Sequence, residues 1–197
     1  MQENMGADIK EIFKQNNGYL VRKQIPDKSS YNQLLKMIDK GIVIRIKPGI
    51  YCYEDIYSGT MIDVEKVVPD GVLCLFSTWL HYGLSTSIPN SFNIAIERNR
   101  KVTLPQYPPI RLYRWKKEYY ELGITMEKIY DFTVKIYDLE KTVCDAIKFR
   151  NKIGLDVAIE VVQNYVRRND RNLNKLSRYA AIMRIETIMQ NMIMPLL

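Results

Sequence analysis

The sequence predicts an α+β protein: an N-terminal winged helix-turn-helix followed by a mixed α/β C-terminal domain that ends in helices. Three observations predict this fold class. Helical patterns lead into a hairpin-like segment, β-rich segments follow, and further helical patterns close the sequence. The composition turns polar at residues 54–60, EDIYSGT, where we place the domain boundary. We therefore expect a winged-helix domain at residues 1–55 and an α/β domain at residues 61–197.

Two short elements open the sequence. Apolar residues recur at helical spacing over residues 9–13, and Asn16-Asn17-Gly18 predicts the end of this first helix because these residues tolerate a left-handed backbone. A short second element, which we take as a helix, begins at residues 19–21 and is broken by Pro26.

The third helix has an apolar stripe. Ser29-Ser30 supplies its predicted N-cap, and Gly41 its predicted end. Leu34, Leu35 and Ile38 are predicted to face the core. The opposite side of the helix would then be exposed to solvent.

A β-hairpin is predicted directly after this helix, at residues 42–53. Apolar and charged residues alternate there around Pro48-Gly49, which favours a turn. The order helix, helix, helix, hairpin is that of a winged helix-turn-helix. The hairpin would be the wing.

The second domain is predicted from β-rich segments and later helical patterns. The predicted strands are residues 72–76, 92–96, 110–115 and 133–137, with a short helix at residues 77–82. Asp138 is a predicted N-cap for a helix reaching about Arg150, with Leu139, Val143, Ala146 and Ile147 on one face. Two further helices are predicted at residues 155–168 and 173–194.

Composition favours a polyanionic partner and excludes several kinds of site. The net charge is +7 and the isoelectric point is about 9.2. Cys52, Cys74 and Cys144 are odd in number and widely spaced, which favours free thiols, and His81 is the only histidine. We expect no metal site and no cofactor. Without an apolar leader or membrane-spanning segment, we expect a cytoplasmic protein with no membrane partner.

The positive charge is concentrated in two patches. Residues 20–50 hold seven Lys or Arg against two acids, and residues 95–120 hold the same numbers. Each patch lies in a different predicted domain. Two patches suggest that both domains contact a nucleic acid, whereas a single patch would suggest one.

The first patch surrounds the third helix and the wing. Asn and Gln can bond adenine edges in the major groove, while Lys, Arg and Tyr can hold phosphates. The alternative is an ordinary solvated helix face. The predicted DNA-binding residues are Arg22, Lys23, Ser29, Ser30, Tyr31, Asn32, Gln33, Lys36, Arg45 and Lys47. Arg45 and Lys47 alternate with apolar residues, so we expect both to point to the same side of the wing.

The second patch follows a predicted strand of the α/β domain. It consists of Arg98, Arg100, Lys101, Arg111 and Arg114, with Lys116 and Lys117 beside them. It could widen the contact with DNA and allow the duplex to be bent. The alternative is a basic surface that binds nothing.

Catalytic patterns are incomplete, so no enzyme is expected. Asp70 and Glu97 faintly resemble the acids of a metal-dependent nuclease, but Asn99 occupies the position of its lysine. The Gly-Ser turn and paired acids of a nucleotidyltransferase are missing. Glu140 and Asp145 are explained by helical pairing with Lys141 and Lys148.

Several segments, in order over nearly the whole sequence, resemble the AbiEi antitoxins of bacterial type IV toxin–antitoxin, abortive infection systems. The segments are GYLVRKQI, SSYNQLLKMIDKGIVIRIKPGIYCY, VLCLFSTWLHYGL, NIAIERNRK and VKIYDLEKTVCDAIKF. The resemblance implies an antitoxin that represses its own operon by binding inverted repeats in the promoter. It carries the DNA-contact role onto Ser30, Tyr31, Asn32, Gln33, Lys36, Arg45 and Lys47.

The resemblance also implies a functional partner. This partner is a nucleotidyltransferase-type toxin, counteracted through the second domain without a stable complex. No individual residue can be assigned to that role. The alternative is a protein–protein module that neutralises a toxin by direct binding, with DNA binding secondary. Because no heptad pattern is present, we expect a monomer in solution that occupies two half-sites cooperatively on DNA.

Overall fold

The structure is a computed structural model that describes residues 8–57 and 61–196. Over these residues the fold is mixed α+β, with ten α-helices and two β-sheets, which confirms the predicted α+β class. The chain divides into two compact units. The first comprises Met1–Pro69, Val102–Pro109 and Lys128–Val134, and the second comprises the remainder. The boundary predicted at residues 54–60 falls partly on residues 58–60, outside the described residues.

The first unit begins with a helix, a strand and a turn, followed by a second helix and a hairpin. Its elements are α1 (Ile9–Gln15), β1 (Tyr19–Val21), a 3-10 turn (Arg22–Gln24), α2 (Lys28–Asp39), β2 (Val43–Lys47) and β3 (Ile50–Tyr53), then α3 (Glu54–Tyr57) and α4 (Val64–Val67). Strand β3 pairs antiparallel with both β1 and β2, giving the order β1-β3-β2. The hairpin predicted at residues 42–53 is confirmed.

The predicted second helix is wrong in part. Tyr19 and Leu20 are fully buried and pair with Cys52 and Tyr51 of β3, so this segment is a strand. Helical structure follows only as the single 3-10 turn before Pro26. The predicted end of α1 is confirmed, since Asn17 and Gly18 have positive φ angles of 52° and 79°.

The N-cap of helix α2 and the set of its buried residues both differ from the prediction. Asp27, not Ser29 or Ser30, caps it, because the Asp27 carboxylate accepts a hydrogen bond of 2.7 Å from the Ser30 backbone N–H. Its buried residues are Ser30, Leu34 and Met37. At about 3.6 residues per turn these positions follow one line along the helix. Leu35 lies off that line and is 41% exposed, so its predicted core position is wrong.

One side of α2 closes the core of the first unit. The buried cluster consists of Ile9, Phe13, Leu20, Leu34, Met37, Val43 and Tyr51, drawn from α1, α2 and all three strands. Removal of this apolar surface from water stabilises the unit. It also fixes the rotation of α2 about its own axis.

The second unit is built mainly on a five-stranded sheet. Its elements are β4 (Val72–Leu73), α5 (Phe76–Tyr82), β5 (Phe92–Glu97), β6 (Ile110–Trp115), α6 (Lys117–Tyr120), β7 (Ile124–Ile129), β8 (Phe132–Tyr137), α7 (Leu139–Ile153), α8 (Leu155–Val166), α9 (Leu173–Ile182) and α10 (Glu186–Ile193), with a final 3-10 turn (Met194–Leu196). The strand order is β6-β5-β4-β8-β7. The tip of the β7–β8 hairpin, residues 128–134, is grouped with the first unit.

Most predicted elements of this unit are confirmed, with four differences. The predicted strand at residues 72–76 is only two residues long, and neither α6 nor β7 was predicted. The final predicted helix is two helices, α9 and α10, because the backbone takes a positive φ of 56° at Arg184. The Asp138 cap is confirmed: its carboxylate accepts a 2.9 Å hydrogen bond from the Lys141 backbone N–H.

Helix α7 is buried on more than the one face predicted. Every residue from Leu139 to Ile147 is buried, since α7 contacts α5, α8, α9 and α10. The burial includes a charged pair. The Lys141 ammonium lies 2.7 and 2.9 Å from the two Asp145 carboxylate oxygens, and the side chains are 0% and 1% exposed.

Aromatic rings supply further contacts for this buried cation. The Lys141 ammonium lies 4.2 Å from the centre of the Trp115 ring and 4.1 Å from that of Tyr137. Burial raises the pKa of Asp145 to about 6, although the nearby Lys141 ammonium opposes this rise. Either charge without the other would stay buried and uncompensated.

We predict that Asp145→Ala destabilises the protein by about 3–5 kcal/mol, because it leaves Lys141 buried without its counter-ion. Replacing both partners with apolar residues, as in Lys141→Met with Asp145→Leu, should recover most of that loss. Urea unfolding of the two variants measures the difference in the free energy of unfolding.

The control for this experiment is Glu121→Ala, which removes another helical pair of the same spacing. Lys117 and Glu121 lie 3.7 Å apart but are 69% and 59% exposed. That change should cost less than about 1 kcal/mol. Equal losses from the buried and exposed variants would show that burial of the pair is unimportant.

Candidate nucleic-acid interface

The exposed side of α2 carries most of the predicted recognition residues. Ser29, Asn32, Gln33 and Lys36 are exposed, and Tyr31 is half-buried. Opposite them, the apolar side of the helix is held in the core. The side chains therefore present amide donors and acceptors, a hydroxyl and an ammonium group to the surroundings.

Ser30 is a correction to the predicted set. Its side chain is 1% exposed, and it shares the buried line with Leu34 and Met37. The resemblance carried a contact role onto this residue. The structure places Ser30 away from the polar side of the helix, where its backbone N–H completes the Asp27 cap.

The two cations of the 3-10 turn are exposed, and one of them is ordered by an aromatic ring. The Arg22 guanidinium carbon lies 3.8 Å from the centre of the Tyr31 ring, within cation–π range. The Arg22 backbone N–H also donates a 2.7 Å hydrogen bond to the Gly49 carbonyl, at the hairpin turn. These contacts connect the turn, α2 and the hairpin. Lys23 is exposed beside them.

The two predicted wing cations have different surroundings. Arg45 is exposed, whereas the Lys47 ammonium donates hydrogen bonds of 2.6 and 3.3 Å to the carbonyl oxygens of Val67 and Thr103. Burial lowers the pKa of Lys47. Lys47 therefore connects β2 to the backbone at Val67 and Thr103 within the first unit.

An irregularity in the hairpin separates these two side chains. Arg45 pairs with Tyr51 but Lys47 pairs with Ile50, so the register shifts by one residue between them. A bulge of this kind re-aims side chains. The strict alternation from which the prediction for Arg45 and Lys47 was made is therefore interrupted between them.

The second predicted patch contains both exposed and internally paired cations. Arg98, Lys101, Arg111 and Arg114 are exposed. Arg100 is half-buried and forms a 3.1 Å ion pair with Asp70. Its charge is therefore partly compensated within the second unit.

The Asp70 carboxylate contacts a second cation besides Arg100. It accepts a 2.9 Å hydrogen bond from the Lys135 ammonium, and Lys135 and then Arg100 lower its pKa. The Arg114 guanidinium donates to the Arg100 carbonyl. Arg98 and Lys101 are the members of this loop best exposed for an external contact.

Glu140 and Asp145, two of the acids considered as catalytic groups, have structural partners. Asp145 pairs with Lys141, as predicted, but Glu140 has other partners: its carboxylate accepts hydrogen bonds from the Tyr165 hydroxyl and the Asn172 backbone N–H, at 3.3 and 3.0 Å. Lys148 donates instead to the Met183 carbonyl, at 2.8 Å. The predicted helical pairing is therefore correct for Asp145 only.

The described part of the chain offers no site for a metal ion built from three or more His, Cys, Asp or Glu side chains. Its three cysteines are free and buried, which confirms the free thiols expected from the sequence. Burial raises the pKa of Cys52 to about 12, so this thiol stays protonated at neutral pH. Across residues 8–57 and 61–196, no helix is both long and apolar enough to span a bilayer.

Comparisons with known proteins add no relative. No protein-family model matches the chain, and a comparison with curated proteins gives no match. The arrangement of the side chains therefore carries the functional argument.

Sequence reasoning missed two features of this surface. Leu35 and Ile42 are 41% and 47% exposed, beside the polar side of α2 and at the start of the hairpin. Exposed apolar groups at such positions can contact thymine methyl groups. The sequence pattern that could have revealed the exposure of Leu35 is the four-residue and three-residue spacing of Ser30, Leu34 and Met37. This spacing leaves Leu35 outside the buried line.

We predict that Lys47→Met lowers the free energy of unfolding by about 1–2 kcal/mol, because the Val67 and Thr103 carbonyls lose a charged donor. Arg45→Met should change it by less than about 0.5 kcal/mol, since Arg45 is exposed. Thermal and urea unfolding of both variants test the difference. Equal effects would refute the internal role of Lys47.

Proposed function

We propose that this chain is a non-enzymatic, sequence-specific DNA-binding protein: an AbiEi-type antitoxin and transcriptional autorepressor. The observation that carries the DNA-binding part is the polar side of α2, exposed beside Arg22 and Arg45. The first unit would act as a winged helix-turn-helix. Its order α1, β1, turn, α2, β2, β3 supports this interpretation, with α2 as the recognition helix.

A helix of this kind fits the major groove of duplex DNA. An α-helix with side chains is about 10–12 Å across, and the groove is about 12 Å wide. Asn32 and Gln33 lie in the first half of α2, where recognition helices usually contact base edges. Their amides would bond adenine, and Lys36 would hold a phosphate.

The surrounding cations would fix the orientation of the helix. Arg22 and Lys23 would contact the flanking phosphates, with Tyr31 holding the Arg22 guanidinium in place. Arg45 would extend from β2 as the cation of the wing, reaching the backbone or the minor groove. Lys47 and Ser30 are left out of this contact set because of their internal positions.

The antitoxin role is supported by the resemblance to AbiEi antitoxins of several segments, in order over nearly the whole sequence. The second unit would counteract a cognate nucleotidyltransferase-type toxin without a stable complex. The first unit would bind inverted repeats in the operon promoter. The protein would be a cytoplasmic monomer that occupies two half-sites cooperatively.

We predict that Lys36→Ala combined with Arg45→Ala weakens binding to the promoter repeat and lowers the slope of log affinity against log salt by about 1.8. The reason is that each lost phosphate contact removes about 0.9 from that slope. Asn32→Ala should instead relax the preference for one base pair by about 1–3 kcal/mol and leave the slope unchanged. Fluorescence anisotropy over a salt series measures both quantities.

Lys10→Ala with Lys14→Ala is the matched control, because it removes two exposed cations from α1. It should leave both the slope and the base preference near the wild-type values. If the control lowers the slope as much as the α2 and wing variant does, the proposed docking of α2 is wrong.

The second patch gives a separate prediction. Arg98→Glu with Lys101→Glu should reduce DNA bending or cooperative occupancy of the two half-sites, since both side chains are exposed. Permuted-fragment mobility shifts measure the bend. The control is Arg167→Glu with Arg178→Glu, which reverses the same charge at two exposed positions of the second unit outside the patch and should leave bending unchanged. Normal bending by the first variant would show that this patch does not contact DNA.

A direct toxin-binding module is the rival function. Co-expression of the full chain with the product of the adjacent gene distinguishes the two. Recovery of the toxin at one-to-one stoichiometry after gel filtration would favour the rival. Normal neutralisation without co-purification supports the proposal.

A further inference from the structure

The second unit contains a cleft between strand β6 and the C-terminal end of α7. Its volume is about 430 Å³, within the range of small-molecule sites. Its lining combines apolar, aromatic and cationic side chains. The lining residues are Leu75, Phe76, Arg111, Leu112, Tyr113, Arg114, Trp115, Phe149, Lys152 and Ile153.

Flat rings form one part of this lining. Alternate residues of β6 lie on one face of the sheet, which places Arg111, Tyr113 and Trp115 in a row. The Arg111 guanidinium carbon lies 5.5 Å from the centre of the Tyr113 ring. Trp115 stacks on Phe149, with ring centres 5.8 Å apart and planes inclined by 13°. The wall can therefore accept a planar group.

The charge of the cleft is positive. Arg111, Arg114 and Lys152 are its charged lining residues, and none of the ten lining residues has a carboxylate. The C-terminal end of α7 opposes an anion with about half an elementary negative charge. The two full positive charges of Arg111 and Lys152 outweigh it. Arg114 alternates with Arg111 along β6, and its guanidinium donates to the Arg100 carbonyl.

The backbone is unusual at the base of the cleft. Leu75 adopts φ 46° and ψ −124°, a region that residues other than glycine rarely occupy. Strained conformations of this kind cluster at ligand sites. This residue lies between β4 and α5, where it lines the cleft.

We infer that this cleft binds a nucleotide, with the base against the half-buried Tyr113 and Phe149 rings and the phosphates against Arg111 and Lys152. Trp115 is buried beneath Phe149 and supports that ring from behind. A purely apolar ligand would bury Arg111 and Lys152 without counter-charge, which is unfavourable. A simple inorganic anion would leave the aromatic wall unused. A nucleotide supplies a planar base and a polyanion in one molecule, and base–aromatic stacking contributes about 1–3 kcal/mol.

The nucleotide could be free in solution or one unit of a single-stranded nucleic acid. Both sources share the same chemistry, so the experiment includes both. The inference rests on the residues of the cleft and does not depend on the proposed DNA-binding role of α2. If nucleotide binding by the cleft is refuted, the proposed DNA binding by α2 is unaffected, and the reverse also holds.

Titration calorimetry with the full chain tests the inference. The probes are ATP, GTP, CTP and UTP, inorganic tripolyphosphate, a short single-stranded oligonucleotide and an acidic peptide. We expect one-to-one binding of at least one nucleoside triphosphate, and at least tenfold weaker binding of tripolyphosphate. Tighter binding of the oligonucleotide than of every nucleotide would identify a strand as the source and also supports the inference.

Arg111→Ala should weaken nucleotide binding about tenfold. Arg178→Ala is the matched control: Arg178 is an exposed arginine of the same unit, 5.7 Å from the Tyr179 ring centre, and it does not line the cleft. It should leave binding unchanged. Lys152→Ala is a second variant at an exposed position, where loss of folding is not expected.

Four results would overturn the inference. These are the absence of nucleotide and oligonucleotide binding, tripolyphosphate binding as tightly as the nucleotides, equal losses from Arg111→Ala and Arg178→Ala, and preferential binding of the acidic peptide. The last result would identify the cleft as a protein-docking site.

Discussion

The burial of one side of α2 is the constraint on which the functional account depends. Ser30, Leu34 and Met37 form a single line along the helix, and the core of the first unit covers that line. A helix has no freedom to turn once these positions are fixed. Asn32 and Lys36 must therefore face outwards, and rotating them inwards would expose Leu34 and bury polar groups without partners. The polar side of α2 follows from the packing of its apolar side.

The surroundings of α2 show why equal charges do not have equal roles. Arg22 and Arg45 lie at the surface, and the Tyr31 ring limits the freedom of the first. Lys47 is two residues from Arg45, yet its ammonium is bound by backbone carbonyls. Arg100 in the second unit is similarly engaged by Asp70. Charge counts from the sequence identify basic regions, but hydrogen bonding decides which cations remain available to a partner.

Periodicity and capping residues predicted most helices and strands, including β6 and the start of α7 at Asp138. The misses arise mainly from contacts between segments that are separated in the sequence. Residues 19–21 lack any pattern long enough to separate a strand from a helix, and pairing with β3 decided the outcome. The hydrogen bonds of the Lys47 ammonium depend on the Val67 and Thr103 carbonyls, which are distant in sequence. The cleft beside β6 likewise joins segments that the sequence separates.

The most direct test of the central claim is an amide chemical-shift map of the 197-residue chain, titrated with the proposed promoter repeat and with a scrambled duplex. The account predicts that specific DNA shifts the amides of α2 around Asn32, Gln33 and Lys36, together with Arg45 in the hairpin. The scrambled duplex should shift mainly the residues beside phosphates, such as Arg22 and Lys23. Unperturbed α2 amides at saturating promoter DNA would contradict the account.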